Sequence, residues 1–181
     1  DETVNRWYVV NRDTSSGVVD IYDSEDGEDW GVGIQNITST SEVVTDITRP
    51  VVGAGRLAVG INNEVYSSSD NTVLNMNGGT ATFESMTKVR EMVYDAHSKY
   101  WVAAGSDGVD GYLEVALAPD ADFTQRDGRG GDEYVSIAVN PNTGRFVATT
   151  DNGNTNRVSD NGWDWTAGGL SAQSIARVMW S

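Results

Sequence analysis

The sequence predicts an all-β domain built from four repeated sheets, and two kinds of observation support this prediction. Short runs rich in β-branched and aromatic residues recur along the chain, and each ends at a turn-forming residue such as Gly, Asn, Asp or Ser. In addition, three sequence markers return at intervals of 40 to 50 residues. No sustained apolar stripe at helical spacing interrupts the pattern. The runs are WYVV (7–10), RLAVGI (56–61), YWVAAG (100–105), VSIAV (135–139) and RFVATT (145–150).

The three markers divide the chain into four repeats. The first marker is a large apolar residue in a strand, the second closes a polar turn, and the third is the strand that precedes the first. The first marker falls at Trp7, Leu57, Trp101 and Phe146, and the second at Trp30, Leu74, Phe123 and Trp165. The third falls at PVVGA (50–54), MVYDA (92–96) and IAVNP (137–141), and its fourth copy, RVMWS (177–181), stands at the far end of the chain.

This order of markers is that of a circular repeat shifted by one strand. Joining the ends gives four repeats of similar length, which predicts a ring of sheets closed by a strand from the C-terminus. We therefore expect residues 1–181 to form a single domain, a four-bladed β-propeller with N- and C-terminal strands sharing one blade. Val178 and Met179 would then lie alongside Tyr8 and Val9. An open β-sandwich with accidental internal similarity is the alternative.

Two heptads, SEDGEDW (24–30) and SDNGWDW (159–165), form the turn that ends at the second marker. The Asp-Gly or Asn-Gly pair supplies the positive φ of a tight turn, and the Ser and Asp or Asn side chains pair with turn backbone groups. The final Trp is expected to pack between neighbouring sheets. These roles fall to Ser24, Asp26, Gly27 and Trp30 in one copy, and to Ser159, Asn161, Gly162 and Trp165 in the other.

The heptads resemble the Asp box, or BNR repeat, of sialidase-like β-propellers, whose pattern is Ser-x-Asp-x-Gly-x-x-Trp. Here Asp26 and Gly27 are adjacent, which contracts the pattern by one residue. The resemblance implies a propeller fold in which the box lies on an outer turn, away from a catalytic centre. It supports the architecture and implies little about chemistry.

The same resemblance raises the question of an anion site, because sialidases hold a substrate carboxylate with three Arg. Arg49, Arg90 and Arg177 stand in or just before the third marker of different repeats, so we expect them to face the axis of the ring. Their planar guanidinium groups suit bidentate binding of a carboxylate. The alternative is that they form ion pairs with nearby acids, such as Glu91 and Asp46.

The composition limits the partners and the chemistry. The 27 acidic and 12 basic residues give a net charge of −15, which repels nucleic acid and anionic membranes. No run of about 18 apolar residues occurs, so we expect no membrane insertion. With no Cys and only His97, we expect no catalytic residue, no bound metal and no cofactor. Ca²⁺ in the loops DSEDGED (23–29) or GSDGVDG (105–111) stays open as an alternative.

Two further features are candidates for recognition. Trp163 follows Gly162 in the second heptad and is expected to project from the turn, where it can stack on a sugar ring or cover an adjacent blade. The Gly-rich stretch RDGRGGDE (126–133) is expected to be the longest flexible loop.

The sequence therefore predicts a non-catalytic structural or interaction protein. By analogy with the propeller class, we expect a virion-surface protein, such as a phage decoration or receptor-binding protein, or an extracellular one. Its expected partners are other virion or cell-surface proteins, with glycan as a further candidate. A glycan-binding lectin-like propeller is the main alternative, and a glycosidase is the other.

Overall fold

The computed structural model arranges the repeats as four antiparallel sheets in chain order. It describes residues 6–13, 18–31, 34–37, 44–70, 76–152, 156–169 and 178–179. All regular secondary structure within these residues is β, as the sequence predicts. No helix that could cross a membrane occurs in the described ranges.

Each sheet is a simple meander, in which every strand pairs antiparallel with the next one along the chain. Sheet 1 contains β1 (Trp7–Arg12), β2 (Val19–Ser24) and β3 (Ile34–Ile37). Sheet 2 contains β4 (Val51–Gly53), β5 (Arg56–Ile61), β6 (Glu64–Ser68) and β7 (Met76–Thr82). Sheet 3 contains β8 (Lys88–Tyr94), β9 (Trp101–Ser106), β10 (Gly111–Ala116) and β11 (Thr124–Arg129). Sheet 4 contains β12 (Tyr134–Val139), β13 (Phe146–Thr150), β14 (Asn156–Ser159) and β15 (Thr166–Ala167).

Consecutive sheets stack face to face, and each contact encloses a hydrophobic core. One core lies between sheets 1 and 2, a second between sheets 2 and 3, and a third between sheets 3 and 4. We call the face of a sheet that packs on the preceding sheet its leading face, and the face that packs on the following sheet its trailing face. The first marker lies on the leading face, where Leu57, Trp101 and Phe146 are almost completely buried.

These large side chains pack on small and β-branched residues of the trailing face of the preceding sheet. In sheet 3, Val93, Val102 and Val115 are cross-strand neighbours and belong to the core shared with sheet 4. Phe146 of sheet 4 lies in the same core. Residues directly opposite each other on adjacent strands share one face, so this row of three valines is a continuous apolar strip.

Sheet 1 differs from the others in its strand count. The first marker lies in the second strand of sheets 2, 3 and 4, but Trp7 lies in the first strand of sheet 1. Among the described residues, sheet 1 therefore lacks a counterpart of β4, β8 and β12. The backbone N–H of Val178 donates to the Ser136 hydroxyl of β12 at 3.2 Å. Because β1 is paired only with β2 in the described ranges, the predicted shared sheet stays a prediction.

Closure of the ring likewise stays a prediction. The cores formed by the described residues join sheets 1 to 2, 2 to 3 and 3 to 4, and none of them joins sheet 4 to sheet 1. Trp7, at the first marker of sheet 1, is 63% exposed. The fold shown is thus a stack of four sheets of the propeller type.

The hairpins are largely those that the sequence predicts, with one exception. Residues 95–100 connect β8 to β9, and residues 140–145 connect β12 to β13, as AHSK and NPNTG indicate. The expected loop at 126–133 is wrong for its first half, because residues 126–129 belong to β11. Asp127–Arg129 pair with Gly111–Leu113 of β10, and backbone pairing overrides the loop signal of Gly128.

A buried carboxylate fixes the connection between sheets 2 and 3. Glu114 on β10 is fully buried and accepts hydrogen bonds from the backbone N–H groups of Glu84, Ser85 and Met86 at 2.7–2.9 Å. Burial raises the pKa of the Glu114 carboxyl, and the three N–H donors partly oppose that rise. The side chain therefore supplies the acceptors that this connection requires.

Bulges in the strands redirect two arginines. In β8, Val89 pairs with Gly105 and Glu91 with Ala104, so Arg90 is an extra residue. In β11, Arg126 is extra in the same way, between Gln125 and Asp127. A bulge changes the direction in which a side chain projects, so alternation along the strand does not predict these two orientations.

Glycine at position 105 allows the bulge that contains Arg90. A Cβ at Gly105 would overlap the backbone carbonyl oxygen of Lys88 and lie 2.9 Å from the sulfur of Met86. Because the overlap is with backbone, we expect Gly105→Ala to cost about 3 kcal/mol of unfolding free energy. Denaturant unfolding measures this loss. Gly169→Ala is the matched control, since nothing lies within 4 Å of its Cβ, and equal effects of the two changes would contradict the prediction.

Candidate functional site

Charged side chains join the inner strands β4, β8 and β12 in addition to the apolar residues that these strands contribute to the cores. Arg49, just before β4, forms an ion pair with Glu91 of β8. The other carboxylate oxygen of Glu91 accepts from the Ser136 hydroxyl at 2.5 Å and from the Ile137 N–H at 3.1 Å. One buried carboxylate thus connects three consecutive sheets.

A second set of ion pairs lies beside the first. The extra residue Arg90 pairs with Asp46, which precedes β4, and with Glu133, which precedes β12, at 3.3 Å. Asp46 is buried, and the Thr45 hydroxyl donates to its other carboxylate oxygen at 2.8 Å. The arrangement neutralises the Arg90 guanidinium with two acids from the neighbouring sheets.

The structure places two of the three arginines proposed for an anion site. Arg49 and Arg90 reach the inner strands of adjacent sheets, and each has a carboxylate partner. The partners are Glu91 and Asp46, the two acids named in the alternative interpretation. Arg177 lies outside the described residues. Binding of a ligand carboxylate by this group of arginines stays a prediction.

The two polar heptads form the same turn. In sheet 1, the Ser24 hydroxyl accepts from Gly27 N–H at 2.8 Å, and Asp26 Oδ1 accepts from the N–H groups of Glu28 and Asp29. Gly27 has the expected positive φ of 80°. The backbone N–H donors of Asp29 and Glu28 hold the pKa of Asp26 below its usual value.

In sheet 4, Asn161 takes the place of the aspartate without a change of geometry. The Ser159 hydroxyl accepts from Gly162 N–H at 2.8 Å, and Asn161 Oδ1 accepts from Trp163 and Asp164 N–H at 2.9 Å. Gly162 has a φ of 73°. An oxygen acceptor is what the turn requires, and a negative charge is not.

The final tryptophans of the two heptads differ in their surroundings. Trp165 packs on Phe146 with ring centroids 6.0 Å apart, and its Nε1–H donates to the Gly162 carbonyl, as expected for a residue between sheets. Trp30 is 41% exposed, which corrects the expectation that it is buried. The reason is that no described sheet covers the leading face of sheet 1.

Trp163 lies where sheet 3 meets sheet 4. Its ring stands 5.5 Å from that of Tyr100, and the Arg126 guanidinium carbon lies 3.1 Å from its centroid. Trp163 remains 39% exposed while it covers the adjacent sheet. Among the described residues, Arg126 has no carboxylate partner, and its buried Nε has no hydrogen-bond acceptor. The sequence singles out the stretch that begins at Arg126, but not the contact of Arg126 with Trp163, because that orientation depends on the bulge.

An apolar patch covers the leading face of sheet 1. Trp7, Val9, Tyr22 and Trp30 form it, and the last three line a groove of about 440 Å³. Val9 and Tyr22 are cross-strand partners, as are Val59 and Tyr66 in sheet 2. The pair in sheet 2 is covered, since Tyr66 is 5% exposed, whereas the corresponding pair in sheet 1 is open, since Val9 is 44% exposed. We call this patch the end face of sheet 1.

The remaining sequence candidates occupy turns. His97 is half-exposed beside Asp95, with 3.4 Å between its Nδ1 and Oδ1 of that carboxylate. In the loop GSDGVDG, Asp107 Oδ1 accepts from the N–H groups of Val109 and Asp110, which is a turn contact. No group of three His, Asp or Glu that could hold a metal ion occurs in the ranges that the structure describes.

Comparison with known proteins supports the fold. No protein-family model and no curated protein matches the sequence. Among solved structures, 95% of the chain aligns with 67% of a chain in the nidogen/laminin complex, with a TM-score of 0.61 and 8% identity. YCF48 from Cyanidioschyzon merolae aligns over 87% of this chain and 57% of its own, with a TM-score of 0.54 and 11% identity.

These two neighbours are a nidogen β-propeller and a YCF48 propeller, so the four sheets belong to the β-propeller class of folds. The chain spans about two thirds of the first neighbour and less of the second. The Asp-box family itself has no support beyond the residues of the two heptads.

The carboxylate that joins the inner strands gives a stability prediction. Glu91→Ala removes the acceptor of the buried Ile137 N–H and the partner of Ser136, so we expect a loss of about 3 kcal/mol. Denaturant unfolding measures it. Glu91→Gln keeps one oxygen acceptor and is expected to lose less; a loss below about 0.5 kcal/mol for Glu91→Ala would contradict the role assigned to this side chain.

The shared turn gives a prediction about pH. Because the folded-state pKa of Asp26 is lowered, its contribution to stability is present above the unfolded pKa and is lost as pH falls through the folded pKa. Asp26→Asn keeps the acceptor, as Asn161 shows, but cannot titrate. We therefore expect the difference in melting temperature between the wild type and this variant to shrink as pH falls below about 3.9.

Thermal unfolding over a pH series checks this expectation. Asp26→Ala is the control that lacks the acceptor at every pH, and we expect it to be less stable than Asp26→Asn throughout. A wild type and an Asp26→Asn variant with identical pH profiles would contradict the prediction.

Proposed function

We propose that the protein is a non-catalytic interaction module of the β-propeller class, carried on a virion surface as a decoration or receptor-binding protein, or in another extracellular assembly. The end face of sheet 1 is the observation that carries the proposal. It exposes two tryptophans at repeat positions whose counterparts, Trp101 and Phe123, are almost completely buried. Exposed aromatic patches of this kind are typical of protein interfaces.

The ion pairs of the inner strands support the non-catalytic part of the proposal. Arg49 and Arg90 are neutralised by acids of neighbouring sheets, so they serve to connect the strands. Hydrolysis of a fluorogenic sialoside that Arg49→Ala abolished would contradict this assignment. The expected partners are proteins of the virion or cell surface, in keeping with the net charge of −15, which opposes binding to nucleic acid.

A finer feature of the fold belongs to the same proposal. Sheet 1 has three strands in the described ranges, and residues 177–181 repeat the pattern of its missing inner strand. The Ser136 hydroxyl of β12, which donates to Glu91 of sheet 3 at 2.5 Å, also accepts from the Val178 N–H at 3.2 Å. We propose that residues 177–181 supply the inner strand that sheet 1 lacks.

Glycan binding is a second candidate, and a separate observation favours it. Arg126 stacks on the half-exposed Trp163 and has no carboxylate partner among the described residues. An indole ring and a guanidinium without an acid partner suit a sugar that carries a carboxylate or sulfate group. The site lies at the outer turn, far along the chain from the end face of sheet 1.

The interaction proposal is tested by crosslinking the protein to the assembly from which it comes. We expect the wild type to crosslink to a virion or cell-surface protein through the end face of sheet 1, and Trp30→Glu to lose that crosslink. Leu117→Glu is the matched control, because Leu117 is an apolar residue that is 71% exposed and lies outside this face. Equal crosslinking by wild type and Trp30→Glu would contradict the proposal.

The glycan candidate is tested on an array of neutral and acidic sugars. Trp163→Ala is expected to weaken binding to acidic sugars by about tenfold, since a stacking contact contributes on the order of 1 kcal/mol or more. Arg126→Ala should weaken the acidic sugars more than the neutral ones. Binding that both variants retain would contradict a glycan site at this position.

A further inference from the structure

The two ends of the stack of sheets carry different apolar faces. The end face of sheet 1 is a leading face with large aromatic side chains, Trp7 and Trp30. The other end is the trailing face of sheet 4, where Ala138, Val147 and Val158 are cross-strand neighbours. We call this row the end face of sheet 4. All three of its residues are only half-buried.

The end face of sheet 4 has the register of a face that is buried elsewhere in the chain. Val147 pairs with Ala138 and Val158, as Val102 pairs with Val93 and Val115 in sheet 3. The row in sheet 3 is covered by the leading face of sheet 4. Beside the row in sheet 4 lies a groove of about 140 Å³, which Ala138, Val147 and Met179 help to line.

The end face of sheet 1 has the register of the faces that cover such rows. Trp7 occupies the position of Leu57, Trp101 and Phe146, each of which packs on the trailing face of a preceding sheet. The chain thus contains the same kind of contact three times. In each, large residues of a leading face pack on a row of small residues of a trailing face. Its two end faces are the unmatched halves of a fourth contact.

We propose that a second copy of this chain makes that contact, with the end face of sheet 1 of one copy packed on the end face of sheet 4 of the other. The association is head to tail, because the two surfaces are different parts of the molecule. This inference rests on the proposed function, since it names the partner of the end face of sheet 1. It extends an interface that the chain already contains.

The described residues leave both end faces open to a second copy. No core formed by these residues joins sheet 4 to sheet 1, and Trp7 is 63% exposed in the single chain. The chain aligns with 67% of one neighbouring chain and 57% of the other, so each neighbour contains structure beyond that matched by these four sheets. A docked copy covers one end face of its partner without bending the stack, and a further copy covers the other.

The docked arrangement also accounts for the position of Val178. Val178 lies beside Ser136, and Met179 is 72% exposed next to the end face of sheet 4. A copy docked on that face places its edge strand β1 next to these residues. Residues 178–179 of one copy therefore add to sheet 1 of the other, which is strand sharing between molecules rather than within one.

Two single-face variants test the inference. Trp30→Glu blocks the end face of sheet 1, and Val147→Glu blocks the end face of sheet 4. By light scattering after gel filtration, we expect the wild type to exceed its monomer mass of 19.5 kDa increasingly with concentration. Each variant alone should be monomeric. A one-to-one mixture of the two should give twice the monomer mass, because each variant keeps the face that the other has lost.

Controls separate this result from misfolding and from nonspecific association. Leu117→Glu changes an exposed apolar residue outside both end faces and should associate as the wild type does. Circular dichroism confirms that the variants are folded. Raising the salt concentration from about 0.05 to 0.5 M should strengthen association, because it screens the repulsion between copies that each carry a charge of −15.

Three results would overturn the inference. A wild type that is monomeric at all concentrations with Trp7 and Trp30 protected from hydroxyl-radical labelling indicates a ring closed within one chain. A monomer with both tryptophans labelled indicates that no second copy binds. Association that Val147→Glu retains and Trp30→Glu loses indicates a symmetric contact between two end faces of sheet 1.

The failure of this inference is distinguishable from that of the proposed function. If the chain is monomeric and Trp30→Glu still abolishes the crosslink to the assembly, the end face of sheet 1 is an interaction surface and its partner is a different protein. If the chain associates head to tail but Trp30→Glu leaves the crosslink to the assembly intact, the head-to-tail contact between copies is supported. The proposed function is then wrong for this surface.

Discussion

The requirement that every sheet be covered on both faces governs this molecule. A four-stranded sheet of this size cannot bury both of its faces by itself, so each one depends on the sheets before and after it. The contact has a fixed polarity, with Trp101 or Phe146 on one side and a row of alanine and valine on the other. Full burial of one such aromatic side chain contributes roughly 1.5–3 kcal/mol, which makes these contacts the main source of cohesion between sheets.

This polarity explains how much of the fold can be predicted from the sequence. Markers such as Leu57 and Trp101 are conspicuous because a large residue must recur at the same place in each repeat, and the turns recur because Gly27 and Gly162 adopt the same positive φ. Strand order, hairpins and class of fold follow from these local signals. Closure does not, because it depends on geometry between the first and last sheets.

What the sequence could not predict depends on neighbours or on register. Trp30 and Trp165 end nearly identical heptads, yet only Trp165 packs against a core shared with a preceding sheet, since sheet 4 has sheet 3 before it and sheet 1 has no described sheet before it. Arg90 and Arg126 reach their partners because each is the extra residue of a bulge. Alternation along a strand gives no signal for such a position, and Glu114 is similarly hidden, as a charged residue within an apolar core.

The charged side chains have a structural use that suits an acidic protein with few arginines. Glu91 and Asp46 are buried, and the arginines that pair with them connect separate sheets near the inner strands. This concentrates the interior polar contacts where the strands converge and leaves the apolar surfaces at the ends of the stack. The inner strands therefore act as a frame, and the surfaces for which we propose recognition are the end faces and the outer turns.

The equivalence of Asp26 and Asn161 bears on how the protein ages. An Asn-Gly pair loses ammonia when the glycine nitrogen attacks the asparagine side-chain carbonyl, but the Gly162 nitrogen is engaged with Ser159 at 2.8 Å. If the side chain hydrolyses to aspartate, the product is the residue that sheet 1 already carries in the same turn. An isoaspartyl linkage would instead lengthen the backbone and break the turn, whereas aspartate keeps the acceptor of the turn and loses only the hydrogen bond that the Asn161 amide donates to Asp164.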